Sequence, residues 1–273
     1  MKMYQVDAFT QQLFRGNPAA VMVLEQEWLS DEFMQNIALE NQLSETAFVK
    51  VVEDGEYEIR WFSPIAEVDF CGHATLASSF VIFNDYTDLT QIKFHVRNLG
   101  EFIVAQAADG KIIMNFPIRR ALHVEDYPVE LRQGLTKPFV NVYRNEQAFI
   151  VEYATVQDVL DEQPNVEFLR NLTRSGKDIT FEEGLDVAIT AAGAEYDCVS
   201  RYFAPSIGIE EDAVTGSIHT AIAPLWADKL GKNDIAAYQA SSRGGELSCQ
   251  ILNAERIEIS GYAKLYMIAE VFL

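Results

Sequence analysis

Apolar and polar residues alternate in short stretches along most of the chain, and the spacing of a helix is confined to a few places. Residues 3–8 alternate weakly and predict a first strand, and residues 20–24 a second that enters the core. Tyr57, Ile59 and Trp61 alternate with polar neighbours after a hairpin broken at Gly55. Further strands are predicted at 47–49, 92–96, 102–104, 112–116, 140–143, 148–151, 185–191, 197–203, 257–259 and 265–272. The segments 14–18 and 239–246 read as turns. Ser30 followed by Asp31 and Glu32 is a helix-start signal, with Phe33, Ile37 and Ala38 at helical spacing. Residues 74–83 predict a buried helix, apolar on most faces, and 156–160 and 166–172 are amphipathic. Residues 218–230 form a second apolar helix closed by Gly231.

Many short strands around one apolar helix, twice over, predict an α+β fold of two similar halves, each a mostly antiparallel sheet curled round its helix. The Pro-containing, aperiodic segment 117–138 is the best boundary, giving halves 1–117 and 118–273, with the terminal strand able to return to the first half. No GxGxxG or Walker sequence accompanies these elements.

The halves also share a motif. Residues 61–77 (WFSPIAEVDFCGHATLA) and 202–221 (YFAPSIGIEEDAVTGSIHTA) both run from an aromatic strand end through Pro and an acidic loop into a helical pattern. Phe62-Ser63-Pro64 answers Phe203-Ala204-Pro205, and Cys71-Gly72-His73 answers Thr215-Gly216-Ser217. The first turn of a helix leaves N–H groups unpaired and carries partial positive charge, so Gly72, Gly216 and Ser217 could bind a small carboxylate without any Lys or Arg. A matched pair of such starts predicts a shared cleft, where one alone would be an ordinary strand–loop–helix connection.

Composition narrows the partners. The 273 residues carry 21 Lys and Arg against 41 Asp and Glu, a formal charge of −20, which argues against nucleic acid and anionic membrane surfaces. No apolar run suits a signal peptide or membrane helix. The three cysteines, Cys71, Cys198 and Cys249, are few and odd in number, which points to a reducing cytoplasm rather than a disulfide framework.

Several residues could carry chemistry. Glu45, between Ser44 and Thr46 at a loop-to-strand junction, could serve as a base if partly buried; the alternative is a surface or capping acid. Asp212, with Glu210 and Glu211, precedes the second helix start and would give a second carboxylate in a different setting; the alternative is a solvated acidic loop. His73, in a helical first turn, is expected to be neutral and to donate a hydrogen bond, whereas His219 reads as a satisfied core histidine. Cys71 at a helix start is expected to have a lowered pKa. Its counterpart Thr215 cannot act as a second thiolate, so a two-thiol racemase does not fit. With no HxH, HExxH or CxxC sequence, no metal is expected. Asn17 and Arg243 fit turns equally well and stay outside the core set.

Five segments, GNPAAV (16–21), LSETAFV (43–49), FSP…DFCGHAT (62–75), FAPSIGIEEDAVTGSIH (203–219) and SRGGEL (242–247), resemble the phenazine-biosynthesis PhzF-like family in the family's order across the chain. The resemblance implies the diaminopimelate-epimerase fold and an isomerase, free of cofactor and metal, that moves a proton on a small cyclic carboxylic acid. It implies Glu45 as the residue that takes up and returns the proton, His73 and Asp212 as its polar partners, and Gly216 and Ser217 as binding groups; a homodimer is usual in the family. Ala213 departs from the family, which often has Pro there. The rivals are a Cys71-dependent amino-acid racemase and a non-catalytic small-molecule-binding protein.

Overall fold

The computed structural model describes residues 1–97, 99–172 and 185–272, and the chain divides into two compact units, Met1–Phe116 with Glu258–Leu273, and Pro117–Ile257. In chain order the first unit is entered through β1 (Lys2–Ala8), β2 (Asn17–Leu24), α1 (Asp31–Asn41), β3 (Glu45–Glu53), β4 (Glu56–Phe62), β5 (Glu67–Val68), α2 (Gly72–Asp85), β6 (Gln91–Val96), β7 (Gly100–Gln106) and β8 (Ile112–Pro117). The second follows with β9 (Leu122–His123), α3 (Val129–Gly134), β10 (Phe139–Arg144), β11 (Ala148–Tyr153), α4 (Val156–Asp161), α5 (Val166–Arg170), β12 (Asp186–Ala192), β13 (Cys198–Ala204), β14 (Ile209–Asp212), α6 (His219–Leu230), β15 (Asp234–Gln239) and β16 (Gly245–Ile251). The division between the units falls within β17 (Arg256–Gly261), and β18 (Ala263–Glu270) completes the first unit. No helix among the described residues is long and apolar enough to cross a membrane.

In the first unit the strands pair in the order β18–β1–β2–β3–β4–β6–β7–β8. Two of these pairs are parallel: β2 with β3, where Ala19 lies opposite Glu45, and β4 with β6. Parallel neighbours need a crossover of a dozen or more residues, usually helical, and α1 and α2 supply the two. The expectation of a mostly antiparallel sheet is therefore refined: helix-bridged parallel pairs sit among antiparallel hairpins. The apolar alternation that predicts each strand does not say which neighbour it will have.

The second unit repeats that plan. Its order is β9–β10–β11–β12–β13–β15–β16, with β11/β12 and β13/β15 parallel and the other pairs antiparallel. The short strands β5 and β14 attach antiparallel to the corresponding β4 and β13. Thus α2 and α6 occupy the same step of two equivalent pairing schemes, as the motif comparison predicts.

Ser30 caps α1, accepting from the Phe33 N–H at 3.2 Å, and the helix turns Met34 and Ala38 into a core with Met3, Ala20, Met22, Phe48 and Phe62. Truncating a side chain such as Phe48 in that core would cost roughly 3–5 kcal/mol. The second unit has its own core, in which Leu131, Phe149, Val151, Leu169, Val187 and Phe203 pack together. Helix α2 is buried almost throughout, polar residues included. Thr75, Ser78 and Ser79 tolerate this because each hydroxyl donates to the carbonyl four residues earlier, at 2.6, 2.7 and 2.8 Å. Gly231 ends α6 in the left-handed region (φ 67°), the cap expected from sequence.

Candidate active site

Parallel register places the starts of β2 and β3 at one end of the first unit's sheet, and Asn17 and Glu45 are the first residues of those strands. Asn17 is held there by the preceding turn. Gly16 has φ 66°, and a Cβ on it would lie 2.0 Å from the Ala8 carbonyl oxygen, so only glycine fits. The first turn of α2 then brings His73 against both. Its Nε2 lies 3.1 Å from Glu45 Oε2, and its Nδ1 lies 3.2 Å from Asn17 Nδ2 and 3.4 Å from Cys71 Sγ. The His73 and Glu45 side chains retain only 7% and 12% of their exposure. Glu45 Oε2 is buried and has no hydrogen-bond partner, so its approach to His73 is one of charge against ring rather than an aligned bond.

Burial alone would push the His73 imidazole down; the Cys71 sulfur and the Glu45 carboxylate beside its nitrogens outweigh it and hold the ring well above the usual 6.5. Cys71 is itself pushed up to about 11 by burial and by the Glu45 carboxylate. Both results correct the sequence expectation. A helix N-terminus by itself favours a neutral His73 and an acidic Cys71, but burial and a carboxylate from another strand dominate the helix dipole here. The His73 imidazole is raised where a helix start would lower it, and the Cys71 thiol is raised as well.

The second unit builds its helix start differently. Asp212 ends β14 and accepts a short hydrogen bond from the Thr215 hydroxyl. The fully buried Gln239, last residue of β15, accepts from the Thr215 N–H at 2.8 Å and donates to the Asp212 carbonyl at 2.9 Å. Ser241 donates to the Ala213 carbonyl at 2.8 Å, so the loop lacking the family's proline is clamped from the strand side. Regular α6 begins at His219, later than the motif predicts. Residues 216–218 form a tighter turn in which the N–H groups of His219 and Thr220 bond the carbonyls of Gly216 and Ser217, each at 3.1 Å. Ser217 Oγ accepts from Gln147 Nε2 at 3.0 Å, and the same amide donates to the Tyr202 hydroxyl, which donates to Asp186.

Of the predicted residues, Glu45, Gly72 and His73 come together in the first unit, and Asp212, Gly216 and Ser217 surround the start of α6 in the second. Glu211 is bound to Arg201 by two contacts of 2.7 and 3.0 Å, and Glu210 is exposed, which leaves Asp212 as the acid of that loop with a polar partner on the helix start. His219 is the core histidine expected: buried, within 2.8 Å of the Thr215 carbonyl, and lowered to about 4 by burial. Arg243 sits half-buried in the turn before β16. Sequence reasoning missed Asn17 at the site, and Gln147 and Gln239 behind the second start. Only the GNP segment offered a signal, since an amide at a strand end has no local signature. The absence of a familiar metal motif also hid a cluster: one donor atom each from Glu45, Cys71 and His73 lie within 4.8 Å of one another.

Comparison with known proteins agrees with this architecture. Residues 6–269 match the family model described as phenazine biosynthesis-like protein, PhzC-PhzF. A protein of Pseudomonas aeruginosa called an uncharacterized isomerase is 40% identical over 279 residues, covering 100% of this chain and 99% of its own. A crystal structure of a phenazine biosynthesis protein of the PhzF family from Enterococcus faecalis superposes with a TM-score of 0.90 at 38% identity, covering 100% of this chain and 99% of that one. A putative phenazine biosynthesis PhzC/PhzF protein from Clostridium difficile gives 0.89 at 39% identity over the full length of both.

Proposed function

The chain belongs to the phenazine biosynthesis-like PhzC-PhzF family, and from that premise we propose that it is an isomerase moving a proton on a small cyclic carboxylic acid. The observation that carries the reading is Glu45 Oε2, buried without a hydrogen bond 3.1 Å from the His73 imidazole. A base must keep a lone pair free for the proton it takes, and Glu45 has one in a nearly dry setting. The His73 ring, held well above its usual range, favours positive charge beside that carboxylate and near negative charge developing on the substrate. Glu45 takes a proton from a substrate carbon, the electron pair left behind delocalises into the adjoining unsaturated acid, and the same carboxyl returns the proton at another carbon. No electrons are gained or lost. In this reading Gly72, Gly216 and Ser217 bind the substrate, with Asp212 accepting hydrogen bonds from it.

Cys71 is the competing base. Its elevated pKa and the hydroxyl of Thr215 at the matching position favour Glu45 instead.

The test is proton exchange in deuterated water with a panel of cyclohexadiene- and proline-type carboxylic acids. Glu45→Gln is expected to lower exchange by roughly 10²–10⁴-fold with the fold and ligand binding intact. Exchange that survives Glu45→Gln but is lost in Cys71→Ser would transfer the role to the thiol. Ligand binding with no exchange by the wild type on any acid would support a binding protein instead.

A further inference from the structure

We propose that Glu45, Cys71 and His73 form a binding site for a thiophilic divalent cation, with zinc as the best fit. The three side chains offer oxygen, sulfur and nitrogen, the donor set that zinc takes in proteins. Cys71 Sγ lies 4.0 Å from His73 Nε2, Nε2 lies 3.1 Å from Glu45 Oε2, and all three donors fall within 4.8 Å of one another. Ligand bonds of about 2.0–2.3 Å at tetrahedral angles require donor separations of about 3.4–3.6 Å. Small side-chain adjustments, with no backbone rearrangement, bring the trio to that spacing.

Three further features suit a metal. Glu45 Oε2 is buried with no hydrogen bond to surrender. Cys71 and His73 sit on one rigid helix start, so two ligands arrive already oriented. Asn17 lies 3.2 Å from Nδ1 of the imidazole through its side-chain amide, and with that amide turned so that Oδ1 faces the ring it would accept the Nδ1–H, as the orienting partner of a metal-bound histidine does. The helix N-terminus opposes a cation, but a thiolate and a carboxylate both face the ion once the Cys71 and imidazole protons have left to solvent. A water or the carboxylate of a ligand would take the fourth position.

The site does not rest on the isomerase reading, because binding is measured without turnover. Protein freed of metal with a chelator is titrated with zinc against a chromophoric chelator, and separately with cobalt, whose bond to thiolate produces a charge-transfer band. One equivalent of zinc and a cobalt–thiolate band are expected for the wild type and for Cys198→Ala/Cys249→Ala. Cys71→Ser should abolish the band. Cys71→Ser and Glu45→Gln should each weaken zinc at least ~10-fold, the loss produced even by removing an outer partner of a metal site. Magnesium, which prefers oxygen ligands, should not compete. Failure of the wild type to bind, unchanged binding in both variants, or competition by magnesium would overturn the assignment. Zinc binding by a chain that never exchanges protons would refute the isomerase and leave the metal site standing.

Discussion

Cys71-Gly72-His73 and Thr215-Gly216-Ser217 stand at matching steps of the two pairing schemes, each after a short strand laid on its neighbour and before a buried helix. At the first, ionisable groups meet: a carboxyl, an imidazole and a thiol within a few ångströms. At the second, hydroxyls and amides bond the loop closed, and its histidine is buried neutral in the core. The two units share the frame that aims a helix start and differ in the side chains on it. Ionisable side chains gather at the first start, and hydroxyl and amide hydrogen bonds at the second.

Substitutions can break that contrast. The largest effect is expected from His73→Gln, which removes the imidazole beside Glu45: exchange should fall by roughly 10²–10⁴-fold in a variant that still unfolds cooperatively. An equal loss of rate from Ser217→Ala would erase the distinction between the two starts.

Gln239→Leu comes next. It strands the Thr215 N–H and the Asp212 carbonyl, at roughly 1–3 kcal/mol for each group left unpaired, readable by urea unfolding. An unchanged midpoint would mean that the loop finds other partners.

Third, the two histidines should slope oppositely with pH. His73 is raised when folded, so its contribution is complete below the ordinary 6.5 and is lost as pH rises through the raised value. His219 is lowered to about 4, so the unfolded chain takes the proton first and stability falls as pH drops from 6.5 toward 4. Unfolding free energies of His73→Gln and His219→Gln, subtracted from wild type between pH ~4 and ~9, should separate the two trends; parallel differences would refute them.

The smallest effect is Ser217→Ala, which deletes one hydrogen-bonding hydroxyl. Substrate affinity should fall up to about tenfold at nearly constant turnover.

Alternation and motif order carried the strands, the two buried helices and their repeat, because burial on a sheet imposes a period of two and burial on a helix one of 3.6. They could not show that β2 and β3 run parallel, since a strand's periodicity is the same for either neighbour. The upward shift of His73 was out of reach for a related reason. It depends on the Cys71 sulfur and also on Glu45, 28 positions earlier in the sequence. Local reasoning sees the helix dipole and misses that carboxylate. Gln239 and Asn17 gain their roles only from what the fold sets opposite them, and the start of α6 moved because residues 216–218 close a tighter turn first.

The first unit closes with β18, which pairs along the whole of β1, from Lys2 opposite Glu270 to Ala8 opposite Ala263. Its two parts are therefore separated in the chain by the entire second unit. On the ribosome, where residues are added from the N-terminus onward, the contiguous stretch 117–257 can finish folding while β1 still waits for its partner. Until then β1 can pair with β2 alone, and its other edge is an open template for another nascent chain. β1 is sheltered on that edge only once β18 has emerged, which leaves an interval of biosynthesis open to misassembly.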